Sequence, residues 1–480
     1  MKNRLFAILV AVSMLASLAS CDTPTNTESQ DGIETQITDL ENLESNDIET
    51  QEPDPESHDD IETIETVVTE FESYDDIKTG VRERFLRYVT YDTQSDLDSD
   101  TSPSSSKQID FAKILAEECK AIGLVEVELS EYGIVTATLP ANTQGDIPVV
   151  GFLSHMDTAP DASGAGVVPR VHENYDGNDI VLDAGTVISP TEFPELRNYV
   201  GQTLVTASGD TLLGADDKSG LAIIMSAMEY LIKNPDIPHG KIRIAFTPDE
   251  EIGRGTENFD VEAFGVDFAF TVDGGPVGDF TYENFNAVRA DIEIFGRAMH
   301  TGYAKGTMVN SMLIANELIA ALPADKAPVN TEGYEAFYHV LSVEGGVEKT
   351  TIAIPIRSFF EDEMDEMKLT IQLLVDDINE EYGEGTASVT FTDQYSNMSS
   401  QIEPWIIELA ERAYNAAGIE FAPTPARGGT DGSNLSFRGI PCPDIFTGMR
   451  NFHGLYEYIA VESMEKSAQV VLKICELLTQ

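Results

Sequence analysis

The sequence predicts an α/β fold, a doubly wound domain on a mixed and mainly parallel sheet, interrupted by an inserted ferredoxin-like domain. Three observations carry this expectation. First, apolar strands alternate with helical patterns through "IPVVGFLSH", "SGLAIIMSAMEYLIKN", "KIRIAFTPDE" and "DFAFTVDGG", the order of a sheet covered on both faces. Second, around residue 288 the order becomes β-α-β-β-α-β. It runs through "AVRADIEIFG", "VNSMLIANELIAAL", "FYHVLSVEG", "KTTIAIPIRSF", a helix over 361–381 and "ASVTFTD". Third, from about residue 400 the first pattern resumes and closes with "VESMEKSAQVVLKICELL". The main domain is thus read as 76–287 and 400–480, with 288–399 inserted.

Taken in order, the chain opens with "MKNRLFAILVAVSMLASLASC". Lys2 and Arg4 precede an apolar run and small residues, a secretory signal layout over 1–21 that is too short for a membrane span. Its ending Leu18-Ala19-Ser20-Cys21 resembles a bacterial lipobox, so Cys21 is expected to be lipidated and the protein exported and anchored to a bacterial membrane. Residues 22–75 are read as a disordered acidic linker. From Asp22 to Ile77 there are twenty Asp and Glu residues and no Lys or Arg, too little apolar surface to offset the ordering entropy. Order begins with the amphipathic helix in "DDIKTGVRERFLRYVTYDTQS", followed by a serine-capped helix in "SSSKQIDFAKILAEECKAIGL".

The balance of 29 basic against 84 acidic residues gives a net charge of −55. Nucleic acid is excluded as a partner, because phosphates must be neutralised by Lys and Arg; cations are favoured. Cys119, Cys442 and Cys475 form no C-x-x-C pair and are read as buried thiols.

Functional groups in such sheets collect past the carboxyl ends of the strands. There the sequence places His155 and Asp157 in "SHMDT", Asp216 and Asp217 in "GADDKSG", Glu250 and Glu251 in "TPDEEIG", Asp273 in "VDGG" and His453 in "NFHG". Imidazoles with carboxylates suit Zn²⁺ or Co²⁺, admit Mn²⁺ and suit Ca²⁺ badly. The inventory holds enough groups for two ions and leaves some over, for a base and for orienting a ligand His. Glu250 and Glu251 are adjacent at a strand end, so their side chains diverge, and two carboxylates of one chemistry can take separate roles.

These motifs, with "AKGTMVN" and "RGGTDGSNLSFRGIPCPDIFTG", resemble the peptidase T family of tripeptide aminopeptidases, within the co-catalytic zinc aminopeptidase/carboxypeptidase superfamily. The resemblance runs from about Asp76 to the C-terminus. It implies that His155, Asp216 and Asp273 hold one ion and Asp216, Glu251 and His453 the other, most often zinc. It also implies that Asp157 orients His155, that Asp217 follows Asp216 through a cis peptide, and that Glu250 is the general base. His300 resembles an oxyanion donor often supplied by the partner subunit, which implies a homodimer through a lid and dimerisation domain. Arg427 resembles a residue gripping a substrate carboxylate, and Asn310 one contacting the peptide backbone. Two departures from the family stand out. His300-Thr301-Gly302 replaces His-Pro-Gly, which removes a fixed φ, and "MRNFHGLYEY" surrounds the last ligand. The implied activity is dinuclear metal-dependent release of N-terminal residues from short peptides. Another amide hydrolase of the superfamily (dipeptidase, carboxypeptidase or N-acyl amino acid deacylase) and a non-catalytic peptide-binding lipoprotein are the alternatives.

Overall fold

The computed structural model describes residues 75–480. The expected signal segment with Cys21, and the acidic linker up to residue 74, lie outside the described residues. Among the described residues no helix is long and apolar enough to cross a membrane.

The main sheet has eight strands. In spatial order they are Val125–Leu129, Val135–Leu139, Ile242–Thr247, Val150–His155, Phe268–Gly274, Asp444–Phe446, Asp279–Thr281 and Ala422–Pro423. The four from Ile242–Thr247 to Asp444–Phe446 run parallel, and antiparallel pairings flank them on both sides. The sheet is therefore mixed, and the carboxyl ends of its parallel strands share one edge.

Successive residues of these strands alternate between two apolar cores. Phe152, Ile244, Phe246, Phe268 and Phe270 enter the larger core, which is closed by helices Asp75–Tyr88, Ser106–Ile122, Ala215–Lys233, Pro404–Ala416 and Val461–Leu477. Leu153, Ala245 and Ala269 face a smaller cluster with Phe259, Phe264, Leu435 and Ile440. With both faces covered, the ends of the parallel strands are where acidic groups and imidazoles gather. The helix over 106–122 is capped as its serines predict. Ser105 accepts from the Lys107 N–H, and Gly123 ends the helix at φ 107°.

Residues 286–395 build a second sheet of antiparallel strands. Lys349–Ser358 pairs with Asn286–Phe295 on one side and with Phe337–Tyr338 and Ser342–Gly345 on the other, and Ala387–Tyr395 lies beyond Asn286–Phe295. Ile292, Ile294, Ile352 and Ile354 meet residues of helices Ser311–Ala321 and Glu361–Tyr382 in a separate core. The two chain crossings between the sheets are tied by amides. Asn286 accepts from Asn397 N–H (2.9 Å) and Asn284 from Met398 N–H (2.8 Å).

One region has no counterpart in the sequence reading. Arg170–His172, Leu204–Thr206 and Tyr458–Ala460 form a three-stranded sheet beside the hairpin Ile180–Val181/Val187–Ile188. Tyr175, Leu196, Tyr199 and Tyr458 lie in its apolar cluster. Strands of two or three residues carry no readable period, and one of them is supplied from far along the chain.

Gly220 shows how tightly the helix after Asp216 lies on the sheet. A Cβ there would stand 2.0 Å from the Val272 carbonyl oxygen and 2.6 Å from both Asp217 carboxylate oxygens. Gly220→Ala is expected to lower stability by about 1–3 kcal/mol through overpacking, measured by urea unfolding.

Candidate metal centre

His155 ends the strand Val150–His155, and Asp273 lies near the end of the neighbouring parallel strand. Glu250 and Glu251 follow the strand Ile242–Thr247 in a short 3-10 turn, which is entered through Asp249 at φ 55°. Asp216 begins the helix over 215–233, with a cis peptide joining it to Asp217. His453 sits in the loop before Tyr458–Ala460 at φ 64°.

The structure brings all five expected ligands together. His155 Nε2 lies 2.9 Å from Asp216 Oδ1 and 3.6 Å from Asp273 Oδ1. His453 Nε2 lies 3.1 Å from Asp216 Oδ2 and 2.9 Å from Glu251 Oε2. Asp216 therefore offers one oxygen to each imidazole. Two groups of converging donor atoms stand out: His155, Asp216 and Glu251, and His155, Asp217 and Asp273. The second includes Asp217 where the sequence reading has Asp216. Both Asp217 oxygens already accept hydrogen bonds, Oδ2 from Ser154 Oγ (2.5 Å) and Oδ1 from Gly220 N–H (3.0 Å). By contrast Glu251 Oε1 and Asp273 Oδ1 are buried with no hydrogen-bond partner. A buried carboxylate oxygen without a donor is costly, and a cation is what such an atom accepts. The donor set fits a pair of divalent ions.

Asp157 is wholly buried and joins the parts. Its Oδ1 lies 3.2 Å from His155 Nδ1 and accepts from Glu250 N–H (3.1 Å); its Oδ2 accepts from Glu251 N–H (3.2 Å) and from Ser95 Oγ. Asp249, which has no role in the sequence reading, also acts through its neighbours. Its carboxylate accepts from Ser104 N–H (2.6 Å) and Gln108 Nε2 (2.7 Å), and its N–H donates to Gln108 Oε1 (3.0 Å). This clamps the turn carrying Glu250 and Glu251 to the start of the helix over 106–122. The signal was its place in "TPDEEIG", but no spacing separates a clamp from a ligand. Asp161 is a further addition, with Oδ2 3.6 Å from His453 Nδ1.

The remaining expected residues lie in other contacts. Asn310 caps the helix over 311–321 by accepting from Met312 N–H (3.0 Å). His300 is exposed, and its Nδ1 accepts from Gly302 N–H (3.2 Å), so Nε2 carries the proton of a neutral ring. Arg427 stacks on Phe285 and Phe337 and donates to the Gly333 carbonyl (2.6 Å), the Glu335 carbonyl (3.1 Å) and Thr331 Oγ1 (2.8 Å). Both its terminal nitrogens are thus engaged by the 331–335 loop and not by a carboxylate.

Crowded anions in a dry site protonate more easily. Burial, with the Asp216 charge beside it, pushes Glu251 up to about 8 and Asp273 up to about 6. Burial also pushes Asp431, which heads the helix Asp431–Phe437 and accepts from Thr247 Oγ1 (2.7 Å), up to about 7, and Glu250 well above the carboxylate range; part of Glu250 is exposed, but its carboxyl is enclosed. Asp216 moves the other way, because hydrogen bonds from His155 and His453 outweigh its burial. Burial likewise opposes the His453 charge, but Asp216 and Glu251 raise it to about 11.

The profile of peptidase family M20/M25/M40 matches residues 213–477. A peptidase T of Clostridium perfringens is 53% identical over 399 residues, covering 83% of this chain and 98% of its own. The chain belongs to this family, in its peptidase T branch. Among solved structures it is similar to the aminopeptidase PepT of Bacillus cereus, with a TM-score of 0.66 and 23% identity over 84% of this chain and 99% of that one. It is also similar to the YXEP protein of Bacillus subtilis, a dinuclear metal binding peptidase of the M20 family, with a TM-score of 0.59 and 14% identity over 84% and 98%. At these identities the two structures bear on the fold. The relatives overturn one expectation. The exported, lipid-anchored localisation expected from residues 1–21 and Cys21 runs against the peptidase T likeness. It is therefore withdrawn. The lipobox resemblance rested on four residues, while the peptidase T likeness spans most of the chain.

The pH response of metal-free protein follows from these shifts. Glu251, Asp273 and Asp431 ionise more readily in the unfolded chain, near pH 4, so their favourable contribution to folding is lost as pH rises toward their folded values. The raised His453 contributes below about 6.5 and loses its contribution above. Asp216 is ionised in both states over this range. The thermal midpoint of chelated protein is therefore expected to fall from pH 5 to pH 8, and adding Zn²⁺ at pH 8 to restore it by binding the folded state. Calorimetry across that range checks both.

Proposed function

We infer that the chain is a dinuclear metal-dependent aminopeptidase releasing N-terminal residues from short peptides, tripeptides among them. What carries this reading is the placement of Asp216 between the two imidazoles, with Glu251 Oε1 and Asp273 Oδ1 left without donors. In it His155, Asp216 and Asp273 hold one ion, and Asp216, Glu251 and His453 the other. Zinc suits the nitrogen and oxygen donors best, with cobalt or manganese as substitutes. When bound, the cations polarise the scissile carbonyl and acidify water.

The chain's own residues do the rest. Asp157 Oδ1 lies 3.2 Å from His155 Nδ1, a place from which it would orient that ring and leave His155 Nε2 as the ligating atom. Its other contacts hold Glu250 and Glu251 with their backbone N–H groups turned toward one carboxylate, so the side chains are free to diverge. Glu250, enclosed and with no ion to hold, is neutral in the metal-free protein and ionised only with cations beside it; its carboxylate then takes the proton of the attacking water and returns it to the leaving amine. The His300 Nε2–H is of the type needed to stabilise an oxyanion. Its exposure is consistent with service to a partner subunit in a homodimer. For Arg427 to grip a substrate carboxylate, the 331–335 loop must withdraw, and the carboxylate then replaces the Gly333 and Glu335 carbonyls. Asn310 stays in the reading only as a contact to the peptide backbone.

The reading takes 76–287 and 400–480 as the catalytic domain and 288–399 as a ferredoxin-like lid. The strand order Ala387–Tyr395, Asn286–Phe295, Lys349–Ser358, Ser342–Gly345 supports this, since it sets the fourth strand of the unit beside the first and the third between first and second.

Two experiments test the assignment. Glu250→Ala is expected to keep both ions by metal analysis and to lose roughly 10²–10⁴-fold in kcat. Glu251→Ala is expected to lose an ion, and equal metal retention in both would overturn the division of roles. Tripeptides with free and acetylated N-termini should also be compared. Release of the first residue from the free peptides alone is expected, and cleavage confined to the acetylated ones would point to the deacylase alternative.

A further inference from the structure

The centre leaves one buried carboxylate without a role. Glu457 is 2% exposed and follows His453 by four positions in "NFHGLYEY". Its Oε2 accepts from the N–H groups of Leu213 (2.7 Å) and Gly214 (2.8 Å), and its Oε1 from those of Ala215 (2.7 Å) and Asp216 (3.2 Å). Four consecutive amides therefore converge on one side chain. They belong to the segment entering the helix over 215–233, where N–H groups have no partners within the helix and the helix dipole favours an anion. Gly214, at φ 80°, supplies the left-handed turn that aims them inward.

We propose that Glu457 is the positioning residue for Asp216, holding that carboxylate between the two imidazoles before any ion binds. Glu457 touches no donor atom of the centre; it acts through the Asp216 backbone. It sits on the same short loop as His453, which continues into Tyr458–Ala460 and pairs with Leu204–Thr206. One loop thus carries one imidazole by covalent connection and the shared carboxylate by hydrogen bonds. A site that needs Asp216 to face two ions at once tolerates little rotation about its backbone, and four charge-assisted hydrogen bonds restrict that rotation. The inference rests on the reading of Asp216 as the shared ligand.

The native enzyme tests it without substitution. Hydrogen exchange at the amides of residues 213–216 is expected to stay slow after the metals are removed by chelation. Release of these amides on chelation would mean that the ions order the loop, and would overturn the proposal. Two variants extend the test. Glu457→Gln leaves one acceptor and sets an NH₂ group against two donors, while Glu457→Asp keeps the charge but draws it back. In Glu457→Gln, metal affinity is expected to weaken by about 10–100-fold, with a fall in kcat and little change in KM, and Glu457→Asp is expected to recover part of both. The absorption spectrum of the cobalt-loaded variant should change with them. Asp216→Asn serves as the control. If it keeps both ions, the shared-ligand reading fails; if it loses them while Glu457→Gln binds and turns over like the parent, the role of Glu457 fails alone.

Discussion

Asp216 meets both imidazoles at once, one oxygen to each, and the surrounding architecture serves that double contact. A carboxylate can bridge in this way only if its backbone is held, its neighbours supply no competing donors and the two imidazoles arrive from different elements. His155 arrives at the end of a parallel strand, His453 on a loop in the left-handed conformation, and Asp216 at the head of a helix. No single stretch of chain could place all three.

The electrostatics follow from the same crowding. Carboxylates packed into a dry site repel one another, and burial drives Glu251 and Asp273 toward the neutral form. The protein counters this with directed hydrogen bonds. Asp157 is met by two backbone N–H groups and Ser95, Asp249 by Ser104 and Gln108, and Asp217 by Ser154 and Gly220. These carboxylates hold the frame. Glu251 Oε1 and Asp273 Oδ1, by contrast, are left without donors. These carboxyl groups differ in whether a backbone N–H or a neighbouring side chain reaches their oxygens.

The two sheets meet through few connections. The asparagines at 284, 286 and 397 bind the crossings, and Arg427 joins the main domain to the 331–335 loop between two aromatic rings. Its guanidinium donates to two backbone carbonyls and one hydroxyl of that loop.

Much of this was legible along the chain. Alternating strands and helices and the switch of pattern near residue 288 specify the α/β fold, and the carboxylates and imidazoles past strand ends specify which groups meet there, because periodicity and strand-end chemistry are local properties. The short strands at 170–172 and 204–206 left no such trace, since their partner comes from 458–460. The sequence by itself determined that two adjacent glutamates follow an apolar strand; that they sit in a 3-10 turn and not on the extended backbone that predicted their divergence was decided by the tertiary structure. Only the tertiary structure decided that Asp249 clamps, that Asp217 is occupied by Ser154 and Gly220, and that Glu457 collects four amides. Those roles depend on which distant donor reaches each oxygen, and no spacing between neighbours along the chain encodes that.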